Sequence, residues 1–207
     1  MKEFSGQIDR RAYRTAAMKR FMVMTVVAWS MMAFYQLVNW GQSAPRVVSM
    51  PAWVQFRPGF ILVYLGMLLV AWLLPVAILD GGRFRSCVRA AVCGYLLVAP
   101  WWILTPTTLP RPPLPMGWWV GPYQCLVAMD APNNILPCAH GVLPAVGAWF
   151  VGQDRPRWRW ALVGLLVVGL ASIALVWQHR PVDILLGLVA AGVGIIVGEK
   201  WTGESNR

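Results

Sequence analysis

Apolar residues along this chain come in long unbroken runs, and the polar residues gather in short stretches between them. A helix of roughly 20 apolar residues crosses about 30 Å of hydrocarbon. Six stretches reach or approach that length: 21–40, 59–79, 89–106, 139–152, 160–177 and 181–198. The fourth is short and holds Pro144, and the third runs into PWWILTP, where prolines are expected to stop it. No ten-residue alternation of apolar and polar positions suggests barrel strands, and backbone in lipid must satisfy its own hydrogen bonds. The pattern therefore predicts an all-α, polytopic six-helix bundle forming one membrane domain over 21–198, between a basic juxtamembrane segment 1–20 and a tail 199–207.

Composition agrees: 58% hydrophobic and only 13% charged residues exclude an ordinary soluble domain. The opening MKEFSGQIDRRAYRTAAMKR carries Glu3 and Asp9 and leads to no small-residue cleavage site, so the first span is expected to be retained. Its Phe4, Ile8, Tyr13 and Ala17 interleave with Arg10, Arg11, Arg14, Lys19 and Arg20, which suits a helix lying on an anionic membrane surface or a plain topology anchor.

Charge orients the bundle. Of the 18 basic residues, 14 fall in the N-terminal segment, the connections 80–89 and 153–160, and the tail, leaving Arg46, Arg57, Arg111 and Arg180 for the other side. Basic loops stay in the cytoplasm, so both termini are expected there. The net charge of +10 follows from this bias, and the basic residues form no continuous patch that would suit nucleic acid. The 13 tryptophans, with pairs at Trp101–Trp102 and Trp118–Trp119, suit an interfacial belt. Four cysteines lack metal-finger spacing; Cys125 and Cys138 share the outer side, where an oxidising compartment allows a disulfide.

The longest connection, 107–138, is where function is expected to concentrate. It ends in PNNILPCAH, which delivers His140 to the start of the fourth span, and the only other histidine, His179, stands in VWQHRPVDILLG at the start of the sixth. Pro137 and Pro181 mark the first turns of the following helices. Helix starts offer unpaired N–H groups and a partial positive charge, which favour phosphate. Asp183 follows His179 by four residues, so its carboxylate is expected to reach back, fix the imidazole tautomer and stabilise the cation. That is the orienting logic of nucleophilic catalysis, with His140 left to protonate a leaving oxygen. Zinc is disfavoured by the C-x-H spacing of Cys138 and His140, and no metal or cofactor is expected.

In this order, RP at 111–112, PCAH at 137–140 and HRPVD at 179–183 resemble the motifs of the type 2 phosphatidic acid phosphatase superfamily of six-span membrane enzymes. The stretches DAPNNILPCAH and QHRPVDILLG are most similar to its bacterial branch that also resembles inositol phosphorylceramide synthases. The resemblance covers roughly residues 50 to 198. It implies an enzyme of the inner (plasma) membrane, its site facing the periplasm or exterior and acting on a lipid that carries a phosphate or pyrophosphate. By the resemblance, His179 attacks phosphorus, Asp183 holds it, His140 protonates the leaving oxygen, and Arg111 clamps phosphoryl oxygens. Water then hydrolyses the phosphohistidine.

Three positions depart from the family: Leu104 and Ile173 replace cations, and Cys138 replaces a serine, while Ser172 matches. Arg180 is the candidate substitute for a lost cation, and Cys138 is expected to keep its backbone N–H aimed at phosphate. Three functions stand: a lipid phosphatase; a phosphotransferase in which a lipid or glycan hydroxyl replaces water; and a non-catalytic lipid-binding or transport protein on the same fold.

Overall fold

The computed structural model describes residues 10–40, 45–114, 116–130 and 133–203. Phe4 and Ile8 of the expected surface helix, Pro132 and the tail end 204–207 lie outside the described residues. The chain is mostly helical: α1 (Arg10–Trp40), α2 (Ile61–Leu73), α3 (Gly81–Leu104), α4 (Val120–Met129), α5 (Val142–Asp154), α6 (Arg159–Leu175) and α7 (Pro181–Gly203). Among the described residues, five helical stretches are long and apolar enough to cross a membrane: Ala12–Trp40, Pro58–Ala77, Gly81–Leu104, Pro156–Leu175 and Pro181–Lys200. Proline stands in the first turn of three of them, where its missing N–H costs nothing.

Several boundaries differ from the sequence expectation. The basic stretch from Arg10 to Arg20 continues into α1 without a break, so this part is no separate surface helix. The connection 80–89 is helical too. Asp80 caps α3 by accepting the Arg83 N–H, which starts the helix eight residues before the expected apolar boundary. Pro100 does not stop α3, which ends at Leu104, just short of the Thr105–Pro106 pair. The expected fourth span is a 3₁₀ turn, Ala139–Gly141, followed by the 13 residues of α5, about 20 Å of helix at 1.5 Å per residue. A parallel pair of two-residue strands, β1 (Arg46–Val47) and β2 (Thr107–Thr108), was not anticipated.

Helices α3 and α7 pack backbone against backbone. A Cβ on Gly198 would lie 2.7 Å from the Ser86 carbonyl oxygen, and one on Gly194 would strike that of Ala90. Ser86, Ala90 and Gly94 thus form a groove of small residues at four-residue spacing, and α7 presses its backbone into it. The opposite side of α7, with Leu185, Val189 and Ile196, stays exposed, as do Val26, Trp29 and Leu37 of α1. The tryptophan pair of α3 divides its labour. Trp101 is 52% exposed, whereas Trp102 is 1% exposed and donates from Nε1 to the Pro137 carbonyl, so it belongs to the core and not to a belt.

At one end of the bundle, Arg20 donates to the Leu79 carbonyl, the Leu79 N–H bonds to Asp154, Arg83 pairs with Asp154 at 2.9 Å, and Trp149 and Gln153 share Glu199. Both histidines lie at the other end, because α5 starts beside His140 and finishes at Asp154. All four cysteines are free: Cys138 is buried and Cys125 exposed, so the disulfide considered between them is not formed.

Candidate active site

Two short segments carry the site. The first is 133–140. Its Asn133 bridges to Thr108, the Ile135 N–H reaches the Thr107 carbonyl, and the Leu136 N–H bonds to the Thr107 hydroxyl. Asn134, fully buried with a left-handed φ of 58°, hydrogen-bonds Asn39 of α1. Asparagine is among the few non-glycine residues that adopt this conformation readily. The segment is thereby pinned to the small sheet and to α1, and its Ile135 carbonyl is aimed inward.

The second segment joins α6 to α7. The N–H groups of Val176, Trp177 and Gln178 bond back to Ser172, Ala174 and Ile173, closing the helix end. Trp177 takes a φ of 54°, an outlier for so bulky a residue, and the reversal turns Gln178 and His179 inward to 2% and 3% exposure.

The histidines meet there. His140 Nδ1 lies 2.8 Å from His179 Nε2, His179 Nδ1 lies 2.7 Å from the Ile135 carbonyl, and His140 Nε2 lies 3.1 Å from the Tyr64 hydroxyl. A carbonyl only accepts, so His179 carries its proton on Nδ1 and its lone pair on Nε2. With both rings neutral, one proton arrangement satisfies the whole chain: Tyr64 O–H donates to His140, His140 Nδ1–H donates to His179 Nε2, and His179 Nδ1–H donates to Ile135. Burial, and next the neighbouring His140, push the His179 pKa well below its ordinary value, which keeps this nitrogen unprotonated and nucleophilic at neutral pH.

Asp183 does not make the expected bond to His179. Its Oδ2 accepts from the backbone N–H and Nε of Arg180, and its Oδ1 accepts from Arg180 Nη2 at 2.7 Å. The reason is local: the carboxylate caps its own helix start, where Arg180, three residues earlier, is nearer than the inward-turned imidazole. The Ile135 carbonyl takes the orienting position. Arg180 is thereby committed to Asp183, its side chain 19% exposed. Asp183→Asn is accordingly expected to lower thermal stability by about 1–3 kcal/mol through lost charged hydrogen bonds. Turnover per folded molecule should fall far less than the roughly 10⁴-fold that loss of a tautomer-fixing carboxylate costs. Thermal unfolding and kcat of the same preparation check both.

Cys138 also differs from expectation. Its N–H bonds to the Asp183 carbonyl at 3.0 Å and so is not aimed at a phosphate, while its sulfur lies 3.9 Å from His140 Nδ1. The contact with α7 is tight because position 187 is glycine; a Cβ there would collide with the Cys138 carbonyl oxygen. The other positions of interest point elsewhere. Leu104 is 74% exposed, Ile173 is fully buried among apolar side chains, and the Ser172 hydroxyl donates to the Gly169 carbonyl.

Arg111 is the cation of the site. Its side chain is 10% exposed, and Nη2 donates to the Asp130 carbonyl at 2.8 Å and to Gln178 Oε1 at 3.2 Å. Asp130 faces the same guanidinium at 3.8 Å and accepts from the Tyr35 hydroxyl. Arg111 Nε and Nη1 are buried without partners, as are Gln178 Nε2 and Trp177 Nε1. Unmet buried donors are costly, and donors of one arginine and its glutamine neighbour suit an anionic oxygen ligand.

No protein-family model and no curated protein matches the chain.

Proposed function

We propose that this chain is an integral membrane hydrolase that removes phosphate from a lipid phosphate or pyrophosphate through a phosphohistidine on His179. The observation that carries this reading is a nucleophilic imidazole nitrogen, its tautomer fixed by a carbonyl, beside an arginine with two buried, unpartnered nitrogens. His179 Nε2 attacks phosphorus; Arg111, assisted by Gln178, neutralises the equatorial oxygens; His140 donates the Nδ1 proton to the leaving oxygen. In-line attack puts nucleophile and leaving oxygen on opposite sides of phosphorus. The His140–His179 contact therefore opens to admit substrate, and His140 moves to the far side of the phosphoryl group.

The apolar surfaces of α1 and α7 support a lipid environment, and the short motifs keep the order of the type 2 phosphatidic acid phosphatase superfamily. In this reading α5 is the fourth of six crossings despite its length. It runs from Tyr64 and His140 at one end to Leu79, Arg83 and Asp154 at the other, the same depth that α2 and its exit turn cover. The same reading has that second end, and both termini, on the cytoplasmic side of a bacterial plasma membrane, supported by the bias of basic residues toward those loops.

Two experiments test the assignment. Purified protein given a lipid phosphate is expected to release inorganic phosphate and leave the dephosphorylated lipid; a product in which the phosphoryl or headgroup appears on a second lipid or a glycan would make it a phosphotransferase. Turnover of neither kind, with lipid still bound, would leave a binding protein. For orientation, cysteines are placed at Met116, 93% exposed, and at Arg157, in a chain whose Cys93 and Cys125 are serine. An impermeant maleimide on intact cells should label position 116 alone, and the reverse pattern overturns the topology.

A further inference from the structure

The closed arrangement of the site has a property that phosphoryl transfer does not require. Cys138, His140 and His179 each offer a ligand atom within 4.8 Å of the others: His140 Nδ1 lies 3.9 Å from Cys138 Sγ and 2.8 Å from His179 Nε2, and each imidazole turns its other nitrogen to a fixed partner, Tyr64 for His140 and the Ile135 carbonyl for His179. We propose that these three atoms bind a thiophilic divalent transition metal ion of the zinc class, leaving a fourth position open to an anionic oxygen ligand.

The partners of the two imidazoles already suit metal ligation. Histidines that ligate metals almost always donate their remaining N–H to a carbonyl, carboxylate or water, which fixes ring orientation and raises basicity. His179 already does so. His140 does so once its proton moves from Nδ1 to Nε2, whereupon Tyr64 accepts the bond it now donates. Ligation by two neutral imidazoles and a thiolate then releases one proton per ion, that of the Cys138 thiol, as the sulfur–metal bond forms.

The dimensions agree. Metal–nitrogen and metal–sulfur bonds of about 2.0 and 2.3 Å at a tetrahedral centre put ligand atoms about 3.3–3.7 Å apart. The present separations of 2.8 Å between nitrogens and 3.9 Å from sulfur to His140 need shifts of about half an ångström, and the third, from sulfur to His179 and within 4.8 Å, closes by about 1 Å at most. The ligand set of one thiolate and two imidazoles selects zinc over magnesium or calcium. Its net charge with the ion is +1, beside the buried Arg111, so an anion is the favoured fourth ligand.

Binding itself is independent of the phosphohistidine reading. Its consequence rests on it: an ion on His179 Nε2 occupies the nucleophilic lone pair, so zinc inhibits turnover.

The test uses the full chain, metal-free, with Cys93 and Cys125 changed to serine, titrated with Co²⁺ and then Zn²⁺. One equivalent of Co²⁺ is expected to give a thiolate-to-metal charge-transfer band and the visible bands of a four-coordinate ion, both lost on adding Zn²⁺. Cys138→Ser, near-isosteric at a buried position, should remove the thiolate band and weaken binding by about 100-fold or more. Tyr64→Phe, which keeps all three ligands, should weaken it by about 10–100-fold. Absence of the band, or a band that survives Cys138→Ser, overturns the site; in the latter case the remaining Cys87 is the ligand. Should the metal-free protein show no phosphoryl chemistry, the functional reading falls while the titration still decides the metal site.

Discussion

His179→Ala is expected to abolish phosphorus labelling of the protein and to lower kcat by about 10⁴-fold or more, the scale on which removing a covalent nucleophile acts in other enzymes. Labelling is the sharper readout, because a phosphoramidate on imidazole is acid-labile and base-stable, unlike a phosphoserine. The companion variant is His140→Ala. It removes the proton donor but leaves the His179 Nδ1–H bond to Ile135 in place, so labelling should persist with a phosphate ester whose leaving group is an acidic phenol. With an ordinary alcohol as leaving group it should fail. Loss of His140 also unblocks His179 Nε2, which the closed pair ties up at 2.8 Å, so binding of the phenyl ester should not weaken. Unchanged turnover in His179→Ala would sink the mechanism and leave an apolar bundle with a pair of buried histidines.

The helices and the end of the bundle that holds the histidines were legible in the sequence because both follow from one-dimensional signals: apolar run length, proline at first turns and the bias of basic residues. The proximity of His140 and His179 was legible as a hypothesis, since two histidines at like helix starts are brought together by a bundle. What escaped was the part set by backbone. The acceptor for His179 is the Ile135 carbonyl, and no side chain announces a carbonyl; the H-x-x-x-D spacing instead drew attention to Asp183, whose oxygens are taken by Arg180. The span boundaries missed for a similar reason: caps such as Asp80, and helix continuing through Arg83, Arg85 and Arg89, are invisible to a count of apolar residues. Asp130 was within reach. It is the sole acidic residue of the 107–138 connection, as Arg111 is its sole basic one, and a loop with one charge of each sign invites their pairing.

That pairing decides how Arg111 must be tested. Replacing it by alanine removes two nitrogen donors free for phosphoryl oxygens, each charged contact worth about 1.5–3 kcal/mol, or roughly 10²–10⁴-fold in kcat/KM together. The same change strands Asp130, 14% exposed, without its cation, and a buried carboxylate left unpaired destabilises a fold by itself. Arg111→Ala alone therefore confounds chemistry with stability. In the double variant Arg111→Ala/Asp130→Asn the stranded charge is gone, while the amide still has an oxygen to accept the Tyr35 hydroxyl. Thermal stability should return most of the way to the parent value, and kcat/KM should stay down by the full factor. Arg111→Lys separates the fork from the charge: a point cation still balances Asp130 but reaches phosphate through one direction only, so a loss of about 10–10²-fold is expected with little change in stability. Recovery of activity in the double variant would make Arg111 a neutraliser of Asp130 and nothing more, and would remove the anion-binding half of the site.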